Sequence, residues 1–196
     1  MVEMTVRRRV LGLVVAAGIL MVAGSAGWWS SRSGGLLVVA QVLYHPVLFG
    51  LLVVAALTAA VIVGVRNLLV RSLVLVAAVL IGLLAVPILL FASTGREVTM
   101  DEAAPDRSDR HLVVEEGAAM IDSIWWVYVD EGSGLTKRRW HVGYFNGASS
   151  NVLDEASWVG PDRVRLITRD EEGGAQVHLV DLTPESGEPV RTLSRG

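Results

Sequence analysis

Three long apolar stretches fill the first half of the chain, and they limit its fold more than any other feature. The first, residues 10–29, and the last, residues 72–91, contain no charged side chain. A helix of about 20 residues is long enough to cross the hydrocarbon core of a bilayer, which is about 30 Å thick. These two stretches therefore predict membrane-spanning helices.

The middle apolar stretch, residues 36–65, is too long for one untilted span and too short for two. Pro46 divides it, because proline suits the first turn of a helix and disrupts a helix interior. We therefore predict a span over residues 46–65. Residues 36–45 have two interpretations: an interfacial or re-entrant segment, or a helical extension kinked at Pro46.

Arginines flank the three spans unevenly. Three precede the first span, two lie in the loop at 66–71, and one lies in the loop at 30–35. Short cytoplasmic loops are enriched in Lys and Arg. We therefore expect a plasma-membrane protein with a cytoplasmic N-terminus and an extracytoplasmic C-terminal half. A cleaved signal peptide is the alternative interpretation of the first stretch.

Small residues recur at helical spacing in two of the spans. Ala23 and Gly27 lie in the first span, and Ala56, Ala60 and Gly64 lie in the second. Small residues four apart allow helices to approach each other closely. The pattern predicts helix packing, either among the three spans or against a partner in the bilayer.

The second half of the chain has the opposite charge. The first 99 residues carry seven Arg and two Glu, whereas the rest carry ten Lys and Arg against eighteen Asp and Glu. An acidic domain disfavours nucleic acid as a partner, because phosphate binding needs clustered Lys and Arg. The chain has no cysteine, which excludes disulfides and thiolate metal sites.

Residues 93–110 are polar and contain Pro105, and they are typical of a juxtamembrane linker. From 111 to 196 the apolar residues alternate with a period of two, which predicts strands. The predicted fold is three transmembrane helices followed by a small extracytoplasmic antiparallel β-meander of six or seven strands. Such a meander forms a curled sheet or a sandwich.

Individual strands give more specific expectations. Residues 123–129 are apolar on both faces, so we predict a central strand that is covered on both sides. In 138–145, alternation places Trp140, Val142 and Tyr144 on one face. In 163–169, alternation places Val164, Leu166 and Thr168 inward and the arginines outward.

One stretch carries a family resemblance. Residues 157–189 combine a tryptophan strand, a Pro-Asp turn, a hydrophobic-Asp-Leu strand and a glycine turn. The residues concerned are Trp158, Pro161, Asp162, Val180, Asp181, Leu182 and Gly187. This pattern resembles one blade of the β-propeller families, although Arg163 stands where a turn glycine is common. Stacked repeats need about three copies or more, so no propeller function is carried over. The layout as a whole resembles a bacterial multi-pass membrane protein.

No stretch matches a catalytic, cofactor-binding or metal-binding motif. The chain does contain clustered aromatic residues that suit either a core or a partner-binding face. These are Trp125, Trp126, Trp140, Tyr144 and Trp158. We expect a non-catalytic membrane-anchored interaction or structural protein that contacts the lipid bilayer and a protein partner or a second copy, as in an envelope complex. The alternatives are a sensor or ligand-binding receptor, and a membrane-bound enzyme.

Overall fold

A computed structural model of the chain describes residues 2–92, 95–119, 122–147, 151–169 and 172–195. The chain folds as two compact units. Met1–Trp29 and Ala40–Ser93 form a helical unit, whereas Ser30–Val39 and Thr94–Gly196 form a β unit.

The helical unit contains α1 (Val2–Ser30), α2 (Leu37–Leu43), α3 (Pro46–Gly64) and α4 (Leu68–Ala92). Three of these helices are long and apolar enough to cross a membrane, over Met4–Ser30, Pro46–Gly64 and Leu68–Ile88. The three predicted helices are thus confirmed. Many of their leucines and valines are exposed, which is typical of helices that contact lipid.

Pro46 begins α3, as predicted. Residues 36–45 are not a continuous extension of α3, because helix α2 ends at Leu43 and the chain leaves helical geometry before the proline. His45 has φ −124° and ψ 69°, which reflects the steric restriction that proline imposes on the residue before it.

A three-residue loop, residues 65–67, joins α3 to α4. The side-chain oxygen of Asn67 accepts hydrogen bonds from the amides of Leu69 (2.9 Å) and Val70 (3.4 Å) at the start of α4. Arg71 Nε donates to the carbonyl of Val65 (2.5 Å) at the end of α3. Because helix ends leave backbone groups without helical partners, these bonds stabilise the tight connection.

The β unit has nine strands in two sheets among its described residues. The strands are β1 (Gly35–Leu36), β2 (Glu97–Ala104), β3 (Arg107–Ala119), β4 (Asp122–Glu131), β5 (Arg138–Phe145), β6 (Val152–Gly160), β7 (Arg163–Arg169), β8 (Ala175–Asp181) and β9 (Leu193–Arg195). The larger sheet has the order β1-β5-β4-β3-β2, and β9 also pairs with β5, in parallel. The smaller sheet has the order β6-β7-β8.

Buried side chains from both sheets form one hydrophobic core. Leu112, Val127 and Val142 come from the larger sheet, and Val164 and Leu166 come from the smaller one. The blade-like stretch thus forms a three-stranded meander that shares its core with another sheet. The predicted alternation in β7 is confirmed, because Val164, Leu166 and Thr168 are buried (0%, 0% and 1% exposed).

The stretch 93–110 differs from the predicted linker, and its first two residues lie outside the described part of the chain. Residues 97–104 form strand β2, and β3 begins at Arg107. Asp106 has a φ of 61° in the turn between them. All of β2 is exposed except Met100 and Ala104. An edge strand of this kind is held by backbone pairing, so it lacks the apolar alternation that would have predicted it.

The loop between α1 and α2 contributes a strand that the sequence did not predict. Gly35 and Leu36 pair antiparallel with Arg139 and Arg138 of β5. Hydrogen bonds extend the pairing, from the Gly34 amide to the Arg139 carbonyl and from the Leu37 amide to the Lys137 carbonyl, both 2.8 Å. We call residues 33–37 the strap. A two-residue strand shows no periodicity in a sequence.

Strand β4 is central, as expected, but it is not equally covered on both sides. Val127 and Val129 are fully buried in the core. Trp126 and Tyr128 point to the opposite face and are only partly buried. This second side of the larger sheet, which faces away from the core, is the outer face.

Candidate functional site

The outer face of the larger sheet carries neighbouring aromatic and charged side chains. Cross-strand partners lie on the same face of a sheet. Glu115 on β3 is opposite Trp126 on β4, which is opposite Tyr144 on β5. In the next row, Tyr128 is opposite His141. Three aromatic rings therefore stand together on rigid, paired strands.

A β-bulge places Tyr144 on this face. Val127 pairs with Gly143, but the next residue, Tyr128, pairs with His141, so β5 has an extra residue at this point. A bulge reverses the facing of the residues that follow it. The expected grouping of Trp140, Val142 and Tyr144 on one face is therefore wrong for Tyr144. Phe145 is buried instead (1% exposed).

The Trp126 ring can pack closely against Gly117 because glycine has no side chain. A Cβ on Gly117 would lie 2.9 Å from Cζ3 of the Trp126 ring. The ring centroid of Tyr144 lies 6.0 Å from that of Trp126, at an interplanar angle of 49°. The Arg96 guanidinium lies 4.1 Å from the Trp126 ring centroid, within the range of a cation–π contact.

A second arginine on this face is held much more firmly. Arg139 donates from Nε (2.7 Å) and Nη2 (3.0 Å) to the two carboxylate oxygens of Asp130. It also hydrogen-bonds Glu115 and lies over the Tyr128 ring, 4.7 Å from its centroid. Asp130 is 1% exposed, and Lys137 lies 3.3 Å from it. Bidentate pairing of this kind gives a fixed geometry.

These contacts shift the pKa of three groups on the face. Burial lowers the pKa of Arg139, but the hydrogen bonds and charges of Asp130 and Glu115 outweigh it, so the pKa lies above its ordinary value. Burial, and then the charge of Glu115, raise the pKa of Tyr128. Burial, and then the charge of Arg96, lower the pKa of His141. Tyr128 and His141 are thus held neutral near pH 7.

The five aromatic residues proposed for partner binding divide into two groups. Trp126 and Tyr144 lie on the outer face, whereas Trp125, Trp140 and Trp158 pack against the core. Trp158 Nε1 donates a hydrogen bond to the carbonyl of Glu102 (3.0 Å), and this bond joins β6 to β2. Partner binding by the first two stays a prediction.

Trp140 also contacts the strap. Gly34 has a φ of 79°, and a Cβ at this position would lie 2.5 Å from Cζ3 of the Trp140 ring. Ser33 Oγ accepts a hydrogen bond from the amide of His141 (3.1 Å). The strap is therefore held by backbone pairing, one side-chain hydrogen bond and the packing of an indole ring.

A fully buried arginine lies opposite Glu131 of β4, and no feature of the sequence signalled its burial. Arg110 is 0% exposed. Its Nε donates to Glu131 (2.5 Å), and its Nη1 donates to Asp162 and to the Pro161 carbonyl (3.1 Å). Its Nη2 donates to the Pro184 carbonyl (2.9 Å).

The contacts of Arg110 account for part of the blade-like pattern in the sequence. The Pro161-Asp162 turn follows β6, and the Thr183–Pro184 turn follows β8. Oxygen atoms of both turns accept hydrogen bonds from the Arg110 guanidinium. Gly187 is buried beside the Arg110 guanidinium. A Cβ at this position would lie only 2.9 Å from Glu131 Oε2. These turns join the smaller sheet to β3 of the larger one.

Two of the small residues in the spans lie at close helix contacts. A Cβ on Gly27 would lie 2.3 Å from the backbone carbonyl of Leu43, and a Cβ on Gly64 would lie 3.2 Å from Cγ2 of Val10. The other members of the set are partly or fully buried: Ala23, Ala56 and Ala60. This placement is compatible with packing among the chain's own helices.

Among the described residues, no group of three His, Cys, Asp or Glu side chains is arranged to hold a metal ion. No protein-family model, no curated protein and no solved structure matches the chain. A functional interpretation therefore depends on the geometry of this chain alone.

Proposed function

We propose that this chain is a plasma-membrane protein whose β unit binds a partner protein outside the cytoplasm through its outer face. The observation that carries the proposal is the group of Trp126, Tyr128 and Tyr144 on the side of the sheet away from the core. Three other tryptophans already pack against the core. Aromatic and arginine side chains on a rigid surface are the residues most enriched among binding hot spots.

Two independent features support the orientation. Arginines are concentrated at the N-terminus and in the α3–α4 loop, which favours a cytoplasmic location for both. The strap between the first two spans pairs with β5 of the C-terminal domain. Two segments of one sheet must lie on the same side of a bilayer, and the even number of spans between them, α3 and α4, satisfies this requirement.

Cysteine labelling in intact cells tests the orientation. Because the chain has no cysteine, single replacements Ser31→Cys, Ser133→Cys and Thr5→Cys each create one reactive site. We expect a membrane-impermeant maleimide to label the first two in intact cells and Thr5→Cys only after lysis. Labelling of Ser133→Cys that requires lysis would contradict the proposed orientation.

Site-specific photo-crosslinking in cells tests partner binding. Val98 lies on the outer face in the row of Glu115 and Trp126, and it is 54% exposed. Val177 on β8 of the smaller sheet is similarly exposed (59%) and serves as the matched control. We expect p-benzoylphenylalanine at Val98 to form a discrete protein adduct that is absent when it replaces Val177.

Loss of the Val98 adduct in a Trp126→Leu background would support the outer face as the binding surface. An adduct of twice the chain mass would identify a second copy as the partner. Equal adducts from Val98 and Val177, or no adduct from Val98 in cells that express the folded chain, would contradict the proposal.

A further inference from the structure

Arg96 occupies an aromatic site on the outer face. Its guanidinium lies over the Trp126 ring, 4.1 Å from the centroid. Its Nη1 lies 3.4 Å from the Tyr128 hydroxyl and 3.9 Å from the carboxylate of Glu115. The site thus offers a ring face, a hydroxyl acceptor and a negative charge, which together suit a planar organic cation.

The residues that line this site are held by close contacts, whereas Arg96, which fills it, is held weakly. Trp126 packs closely against Gly117, and Glu115 is held by Arg139. Arg139 itself makes two short hydrogen bonds to buried Asp130, whereas the polar contacts of Arg96 are long and its side chain is 54% exposed. An exposed ion pair at this distance contributes little stability, so Arg96 can leave the site at low cost.

From this contrast we infer that the site formed by Trp126, Tyr128 and Glu115 binds an arginine side chain of the partner protein. Arg96 fills it when the partner is absent. The inference rests on the proposed function, because it names the group by which the partner would be recognised. The position of Arg96 shows that a guanidinium fits the site. When the partner's guanidinium replaces that of Arg96, the Trp126 ring, the Tyr128 hydroxyl and the Glu115 carboxylate each still contact a cation.

Arginine amide is the probe, and the purified full-length chain in detergent is the sample. We expect Arg96→Ala to bind arginine amide about fivefold more tightly than the unmodified chain, because removal of one cation–π competitor is worth about 1 kcal/mol. Isothermal titration or saturation-transfer NMR measures both affinities. Citrulline amide has nearly the same shape and the same α-amino group but no guanidinium charge, and it should not bind.

Two further variants place the binding at this site. In the Arg96→Ala background, Trp126→Leu removes the ring, and Glu115→Gln removes the charge while keeping an acceptor for Arg139. We expect each to abolish the added affinity. If Trp126→Leu lowers the unfolding temperature, the Glu115→Gln comparison carries the test.

The inference is overturned if folded Arg96→Ala does not bind arginine amide more tightly than the unmodified chain. It is equally overturned if citrulline amide binds as well, or if neither further variant reduces binding. The crosslinking result at Val98 separates the two proposals. A Val98 adduct with no arginine binding would leave a partner-binding face that recognises some other group, whereas the absence of that adduct removes the partner proposal itself.

Discussion

Arg110→Met should lower the free energy of unfolding of the β unit by about 3–5 kcal/mol, since breaking a buried ion pair leaves its partners uncompensated. The guanidinium is fully buried and donates to two carboxylates and to backbone carbonyls of two turns. Methionine fills similar space but donates no hydrogen bond. Glu131 Oε2 and the Pro161 carbonyl would lose their donor, whereas Arg107 would still donate to Glu131 Oε1 and to the Pro184 carbonyl.

Arg107 provides a matched control for Arg110. It also contacts Glu131 (2.6 Å) and the Pro184 carbonyl (2.6 Å), but its side chain is 28% exposed. We expect Arg107→Met to cost about 1 kcal/mol or less, because water can replace its contacts. Arg110→Lys should fall between the two, because an ammonium group cannot bond both turns at once.

Chemical denaturation of the full-length chain in detergent, followed by tryptophan fluorescence, measures these differences. Protease resistance of the β unit gives a second reading where a variant is largely unfolded at the start. Equal losses for Arg110→Met and Arg107→Met would show that burial of Arg110 does not determine its contribution.

Gly34→Ala should detach the strap from β5. Gly34 combines a φ of 79° with a Trp140 ring carbon 2.5 Å from the position a Cβ would take. The alanine methyl group therefore adds steric overlap to the cost of left-handed geometry, which is about 1–2 kcal/mol by itself. We expect the amides of Leu37 and His141, which are bonded across this pairing, to exchange with solvent about tenfold faster or more.

Gly173→Ala separates the two causes. Gly173 has the same φ of 79°, but a Cβ there would meet nothing within 4 Å. We expect this variant to lose about 1 kcal/mol from backbone strain and to leave exchange in the strap unchanged. Hydrogen exchange with mass spectrometry on the full-length chain distinguishes the variants. Unchanged strap exchange in Gly34→Ala would show that Trp140 and the pairing do not hold residues 33–37.

The packing of the β unit depends on contacts between distant parts of the chain. Arg110 joins the two sheets, and the strap joins the loop between the first two spans to β5. A sequence pattern predicts neither, because both depend on residues far apart in the chain. Arg110 is separated from Asp162 by 52 positions, and Ser33 from His141 by 108. Only the folded chain brings them together.

The length of the apolar stretches was sufficient for the helices, and local periodicity was sufficient for most strands. Uncharged stretches and Pro46 located the three spans, and strict alternation located β5 and β7 together with the inward residues of β7. Periodicity failed at β2, which is polar and exposed, and at Tyr144, where one inserted residue reversed the facing of β5. An edge strand and a bulge are both defined by backbone pairing, which side-chain patterns record poorly.

The sequence by itself thus determined that this chain has three apolar spans and an acidic β domain, because burial in lipid requires a long unbroken apolar stretch and burial of one face of a sheet imposes alternation of side chains. Tertiary structure alone decided which aromatic residues enter the core and which stand on the outer face. It also decided that Arg110 would be buried among carboxylates and carbonyls, and that Arg96 would lie on Trp126. These outcomes depend on strand register and on turn geometry, which are set when distant segments pack together.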